Sequence, residues 1–200
     1  VEAILDDADA ALAIVDVELA HLVSGQVSGA VSMVEWRQAV DNASPVDPIA
    51  AGHVDRPSAN DVVFILYTSG TTGVPKGAQL TNHNMAHSAW ISGSAYGFTS
   101  ASTNLVAMPL FHVGGMGYGL SAFFHGGHTV LRRDADPAEV VRNIASHRVT
   151  HAFFVPAVIQ AILAVDGVDS ADLESLELLV YGAAPIGDAV LRRTIDVMGC

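Results

Sequence analysis

The spacing of apolar and polar positions changes several times along the 200-residue chain, and each period predicts an element. "VEAILDDADA" at the start has helical spacing, "ALAIVDV" is strand-like, and "SMVEWRQAV" returns to an amphipathic helix. Between Asp41 and Asp61 the run "DNASPVDPIAAGHVDRPSAND", rich in Pro, Asp, Asn and Ala, breaks every period. It predicts a linker or long surface loop. The expected organisation is a short first part over residues 1–45, a linker at 46–60, and a second part over 61–200.

Past the linker, "VVFILY" has the β-branched and aromatic content of a buried strand. "TNHNMAHSAW" resumes helical character with Thr81 or Asn82 as N-cap, and "NLVAMPL" and "HTVLRR" are further strands. Asp136 and Pro137 are of the types that open a helix, and in "PAEVVRNIASHR" Val140, Val141 and Ile144 make its apolar face. Then come a strand in "VTHAFFV", a helix opened by Pro156, a strand in "LELLVYG" and a helix in "GDAVLRRTIDVM". Alternating strand and helix predict an α/β fold, with crossover helices connecting the strands of layered β-sheets.

Composition narrows the partners. Half of the residues are apolar and 15% are charged, which is enough to build a core. A formal net charge of −12 excludes a nucleic-acid surface or a polybasic membrane anchor, both of which need clustered Lys and Arg. A small molecule or a protein is the expected partner. The longest apolar stretch, Ala152 to Val165, is interrupted by Pro156 and Gln160 and is too short for a transmembrane segment. Val1 is not a start methionine, no signal peptide pattern is visible, and the lone Cys200 excludes an internal disulfide or a cysteine-based zinc site. The expected compartment is the cytoplasm.

The candidate chemistry starts at Tyr67 with "YTSGTTGVPKG". Of nine basic residues eight are arginines, and the single lysine, Lys76, stands in this stretch. A strand running into such a loop can aim backbone amides at a phosphate. Gly70, Gly73 and Gly77 permit close approach, Thr68, Ser69, Thr71 and Thr72 add hydroxyls, and Lys76 adds a point charge. The glycine spacing is not that of the Walker loop. Read from residue types alone, the stretch could equally be a polar turn and Lys76 a solvated side chain.

"YTSGTTGVPKG" resembles the signature of the adenylate-forming superfamily, which comprises acyl- and aryl-CoA synthetases, luciferases and the adenylation domains of peptide synthetases. Two further stretches agree in order: "MPLFHVGG" is similar to the family's "PLFH" segment, and "VYGAAPIG" to its "GGAPL" turn. The resemblance implies part of the large N-terminal domain of an adenylate-forming enzyme. It implies an internal piece of a longer chain, because the motif "YGxTE", the ribose-binding aspartate, the hinge and the C-terminal domain with its catalytic lysine do not occur here. The implied activity joins a carboxylic acid to the α-phosphate of ATP and passes the acyl group to coenzyme A.

By the same resemblance, Thr68, Ser69, Gly70, Thr71, Thr72 and Gly73 wrap the phosphates and Lys76 contacts them, with Thr71 sharing a magnesium ion. His112 becomes a wall of the acyl pocket beside the carboxylate, and Gly114, Gly115, Gly117 and Gly119 suggest a pocket wall with room for an acyl chain. Gly182, Ala183 and Ala184 are carried over as adenine or acyl contacts, and Arg133 as a contact to the nucleotide phosphate of coenzyme A. Without the resemblance, His112 reads as structural and "YGAAP" as a plain strand-to-helix turn, while the aspartates of "RRDAD" could pair Arg132 and Arg133 at the surface.

His83 and His87 lie one helical turn apart, but Asn84 replaces the glutamate of a zinc protease motif; His125 and His128 read as a turn. The expected substrate is a fatty or other apolar acid. The alternatives are an amino-acid adenylation domain and a non-catalytic nucleotide-binding fragment, and "PLFH" favours the CoA ligases.

Overall fold

In the computed structural model, residues 1–23, 27, 29–46, 49, 51–52, 56–70 and 73–200 are described. They form two compact units, Val1–Asn82 and His83–Cys200. The stretch read as a linker falls inside the first unit, because the hairpin that follows it groups with the first sixty residues.

The first unit begins with α1 (Glu2–Asp7) and a parallel pair of short strands, β1 (Leu12–Val15) and β2 (Gly29–Ser32), followed by α2 (Met33–Asn42). A capping box starts α2: Ser32 Oγ accepts from the Glu35 amide at 3.2 Å, and the Glu35 carboxylate accepts from the Ser32 amide at 2.9 Å. The hydrogen bond from the Ser32 hydroxyl, with that from its amide, holds the Glu35 carboxyl below its ordinary range. Strand β3 (Val62–Thr68) then pairs antiparallel with β4 (Lys76–Thr81). "KGAQLT" carries no clear alternation, so β4 escapes a sequence reading; it exists because β3 supplies its hydrogen-bond partners.

The second unit opens with α3 (Asn82–Ala95) and carries four parallel strands: β5 (Thr103–Val106), β6 (His128–Leu131), β7 (His151–Phe154) and β8 (Leu178–Tyr181). Their order in the sheet is β6-β5-β7-β8. The crossovers are α4 (Val113–Phe124), α5 (Pro137–His147) and α6 (Pro156–Leu163), and α7 (Asp188–Met198) follows β8. Alternate strand residues face opposite sides. Leu105, Ala152 and Phe154 join Ile144, Ile159, Ile162 and Met198 of α5 to α7 in the main core. Val106 meets Tyr118 and Ala122 of α4 in a second cluster. Helix α5 starts as its sequence implies, with Asp136 Oδ1 accepting from the Glu139 amide at 2.9 Å and Pro137 in its first turn.

Helix α4 departs from the sequence reading. Its four glycines suggest a pocket wall and assign no helix, and Val113 to Phe124 form twelve residues of α-helix. Packing outweighs the low helix propensity of glycine here. A Cβ on Gly115 would collide with the carbonyl oxygens of Pro109 and Met108, and one on Gly119 would lie 3.4 Å from Val106.

Candidate functional site

The glycine loop is the turn of the β3–β4 hairpin. Thr68, Ser69, Gly70 and Lys76 line a concavity of about 380 Å³. Gly70 has φ +61° with its open side against the Val74 carbonyl, and Gly73 has φ +81°; both need glycine's freedom. Lys76 is not suspended in the loop as its sequence context suggests. It opens β4 as the register partner of Thr68, exposed and without an ion pair among the described residues. Next to it, Gly77 leaves room for the Tyr67 ring, whose hydroxyl donates to Asp7 at 2.6 Å. That bond raises the Tyr67 pKa. Thr71 and Thr72 lie outside the described residues.

The other candidates come together by topology. All four strands of the second unit are parallel, so the segments leaving their carboxyl ends emerge along one edge. His112 follows β5, Arg133 follows β6, and Gly182, Ala183 and Ala184 follow β8. Chain order reverses between β5 and β7, and the crevice outside such a switch point is where open α/β sheets bind ligands.

His112 is the N-cap of α4. Its carbonyl accepts from the amides of Gly115 and Met116 at 3.1 and 3.0 Å, while its side chain makes no capping bond and its ring lies 4.8 Å from that of Phe111. Ala183 takes φ 66°, a left-handed conformation unusual for alanine, and Gly182 backs onto the Phe153 ring. Arg132 and Arg133 border a groove of about 460 Å³ with Met108 to Phe111. The neighbouring aspartates do not neutralise this pair: Arg132 meets Glu139 at 3.5 Å, Asp136 caps α5, and Arg133 has no ion pair among the described residues.

A cavity of about 170 Å³ lies between α3 and α4. Ser88 and Ser92 line it from α3, Tyr96 from the turn that follows, Gly114, Gly117 and Tyr118 from α4, and Phe153 from β7. The four-residue spacing of Ser88, Ser92 and Tyr96 is a helical stripe, the one sequence signal that could have exposed this wall. Of the four glycines, Gly114 and Gly117 line this cavity, from within a helix. His83 and His87 stack with centroids 5.6 Å apart, and no cluster of three or more potential metal ligands occurs among the described residues. His125 does not pair with His128; its ring Nε2 lies 3.4 Å from the Trp90 carbonyl.

The fold, with its parallel sheet and glycine-rich hairpin, matches the N-terminal domain of FACL13 from Mycobacterium tuberculosis with a TM-score of 0.82 at 24% identity, over 95% of this chain and 49% of that one. The chain belongs to the family described as AMP-binding enzyme, which it matches over residues 1–200. It is 38% identical over 138 residues to a feruloyl-CoA synthase of Amycolatopsis sp, covering 68% of this chain and 28% of that protein. It is 32% identical over 165 residues to the fatty acid--[acyl-carrier-protein] ligase ScoC of Streptomyces coeruleorubidus, covering 75% of this chain and 31% of the relative. The fold matches ATP-bound MatB from Rhodopseudomonas palustris with a TM-score of 0.84 at 22% identity, over 100% of this chain and 40% of that one. The chain thus spans under a third of these two curated relatives. Among the described residues no helix is long and apolar enough to cross a membrane.

Proposed function

We propose that the protein carrying this chain is an AMP-forming ligase that activates a carboxylic acid with ATP and passes the acyl group to coenzyme A. The observation that carries this reading is the β3–β4 hairpin, where Thr68, Ser69, Gly70 and the lone lysine border one concavity within the stretch that resembles the family's signature. Attack of a carboxylate on a phosphate brings two anions together, so the catalyst must screen charge and hold the reactants in line. The hydroxyls of Thr68 and Ser69, the backbone at Gly70 and Gly73, and the Lys76 ammonium hold the β- and γ-phosphates. A magnesium ion, which takes few protein ligands, would be held here by the hydroxyl of Thr71, a residue outside the described ones, and would neutralise phosphate charge.

His112, the residue before Val113 of the cavity lining, is assigned to the acid's carboxylate end. The first amides of α4 favour an anion there. The apolar surfaces of Val113 and Phe153 take the body of an acid with an apolar framework. Gly182, Ala183 and Ala184 form the surface on which the adenine lies or the acyl group rests. Coenzyme A is favoured over a carrier protein as the acceptor by Arg133, which has no ion pair among the described residues and borders a groove that also offers the exposed Phe111 ring. A cytoplasmic setting follows from these soluble co-substrates.

Acid-dependent exchange of labelled pyrophosphate into ATP tests this in the full-length protein carrying the chain. Exchange with carboxylic acids, followed by thioester formation on adding coenzyme A, is expected; ATP binding without exchange for any acid would overturn it.

A further inference from the structure

Asp7 is the last residue of α1, the end at which a helix disfavours a carboxylate. Its partner lies sixty residues further along the chain: Oδ2 of Asp7 accepts a hydrogen bond from the Tyr67 hydroxyl at 2.6 Å. The first helix is thereby tied to the strand that runs into the glycine loop. The same bond pushes the Tyr67 phenol above its ordinary range, so it stays a donor at neutral pH.

The ladder shows what this tie acts on. Residues paired across antiparallel strands share a face, and successive residues alternate between faces. Thr68 and Lys76 therefore share the face that borders the concavity, while Tyr67 and its register partner Gly77 share the other. The missing side chain of Gly77 lets the Tyr67 ring lie across the ladder there, since a Cβ would come within 3.0 Å of Tyr67 Cζ. The ring thus backs onto the strand beside Lys76, and its far end is held by Asp7. On the front, Gly70 approaches the Lys76 stem, where a Cβ would lie 3.7 Å from Lys76 Cγ. Asp7 bonds to the phenol and forms no ion pair with the ammonium, so it constrains the hairpin without neutralising Lys76. Placement matters at such a point: an error of about 1 Å in a group that orients a reactant can cost on the order of a hundredfold in rate.

We infer that Asp7 is a positioning residue for the phosphate hairpin, holding Tyr67 against the back of the ladder so that Thr68 and Lys76 meet the phosphates of ATP from the front. The inference rests on the ATP-binding role of the hairpin proposed above.

Calorimetry with Mg-ATP and pyrophosphate exchange, both on the full-length protein carrying the chain, test this with Asp7→Ala, Asp7→Asn, Tyr67→Phe and the double variant Asp7→Ala/Tyr67→Phe. Asp7→Ala and Tyr67→Phe should each raise the Kd and the KM for ATP about three- to tenfold and leave the KM for the acid unchanged. The double variant should match either single one, because both remove the same bond. Asp7→Asn keeps an acceptor oxygen and should stay within about twofold of the unaltered protein. Unchanged ATP affinity in the folded single variants, losses that multiply in the double variant, or KM values for ATP and acid that rise together would overturn the inference. If Asp7→Ala does not fold, Tyr67→Phe, which keeps the ring over Gly77, decides by the same criterion. ATP binding without exchange for any acid would overturn the activation reading and leave the calorimetric comparison to decide this one. Absence of ATP binding by the unaltered protein would overturn both.

Discussion

Lys76 and Thr68 are register partners across the β3–β4 hairpin, so the chain's single lysine closes the glycine loop at the point where the backbone returns to the sheet. Its backbone is fixed by the ladder while its side chain stays exposed beside Thr68, Ser69 and Gly70. Lys76→Ala should therefore weaken ATP binding about ten- to hundredfold and leave a measurable rate at saturating ATP. Arginine should restore only part of the loss, since its planar fork is wider than an ammonium. Calorimetry with Mg-ATP and the KM for ATP in pyrophosphate exchange check both, and unchanged ATP affinity in Lys76→Ala would make the residue a solvated strand lysine.

His112 lies at the start of α4, away in sequence from the hairpin, and its side chain is not used for capping. His112→Ala should lower kcat/KM for the acid by roughly 1–3 kcal/mol while moving the KM for ATP little. A change confined to ATP would remove His112 from the acid's neighbourhood.

Gly115 and Gly117 stand two residues apart on α4 and should respond in opposite ways. A methyl group on Gly115 meets the carbonyls of Pro109 and Met108, and Gly115→Ala should destabilise the fold by about 1–3 kcal/mol. On Gly117 the same methyl has only Val113 Cγ2 at 3.4 Å, so Gly117→Ala should be tolerated and gain up to ~1 kcal/mol of helix propensity. It also intrudes on the cavity, and the KM for the acid should rise. Thermal unfolding paired with exchange kinetics separates the two; equal losses of stability would contradict the geometry.

Arg133 has no ion pair among the described residues, whereas Arg132 meets Glu139. Arg133→Ala should raise the KM for coenzyme A about tenfold and leave pyrophosphate exchange unaffected, because in the proposed function only the second half-reaction uses that groove. An equal loss in both half-reactions would assign the residue to folding instead.

The second unit was the most legible part of the sequence. From Asp136 to Met198, strands and helices alternate with strong periods, and Asp136 and Pro137 mark a helix start that the structure reproduces. Helix α4 was hidden because its glycines lower helix propensity and its stability comes from contacts with Pro109, Met108 and Val106, residues that no local pattern connects to it. Strand β4 was hidden for a similar reason, since its pairing partner rather than its own residues defines it. Of the candidate site, the hairpin loop, His112 and Gly182 were singled out by motifs, and Arg133 by its place in the family resemblance. The α3–α4 cavity was not, because Ser88, Ser92 and Tyr118 acquire meaning only when two helices are brought side by side.

The glycines of α4 have a bearing on how such a protein can change over generations. A cavity shaped by missing side chains can be narrowed, shortened or re-aimed by adding a methyl group at a position such as Gly117, where nothing has to move aside. The hairpin that carries Lys76 lies on a separate stretch of the chain and is untouched by such a change. On the proposed function, choice of acid and handling of ATP would be inherited on different segments, and a lineage could drift to new acids by small steps without passing through an ancestor unable to bind nucleotide.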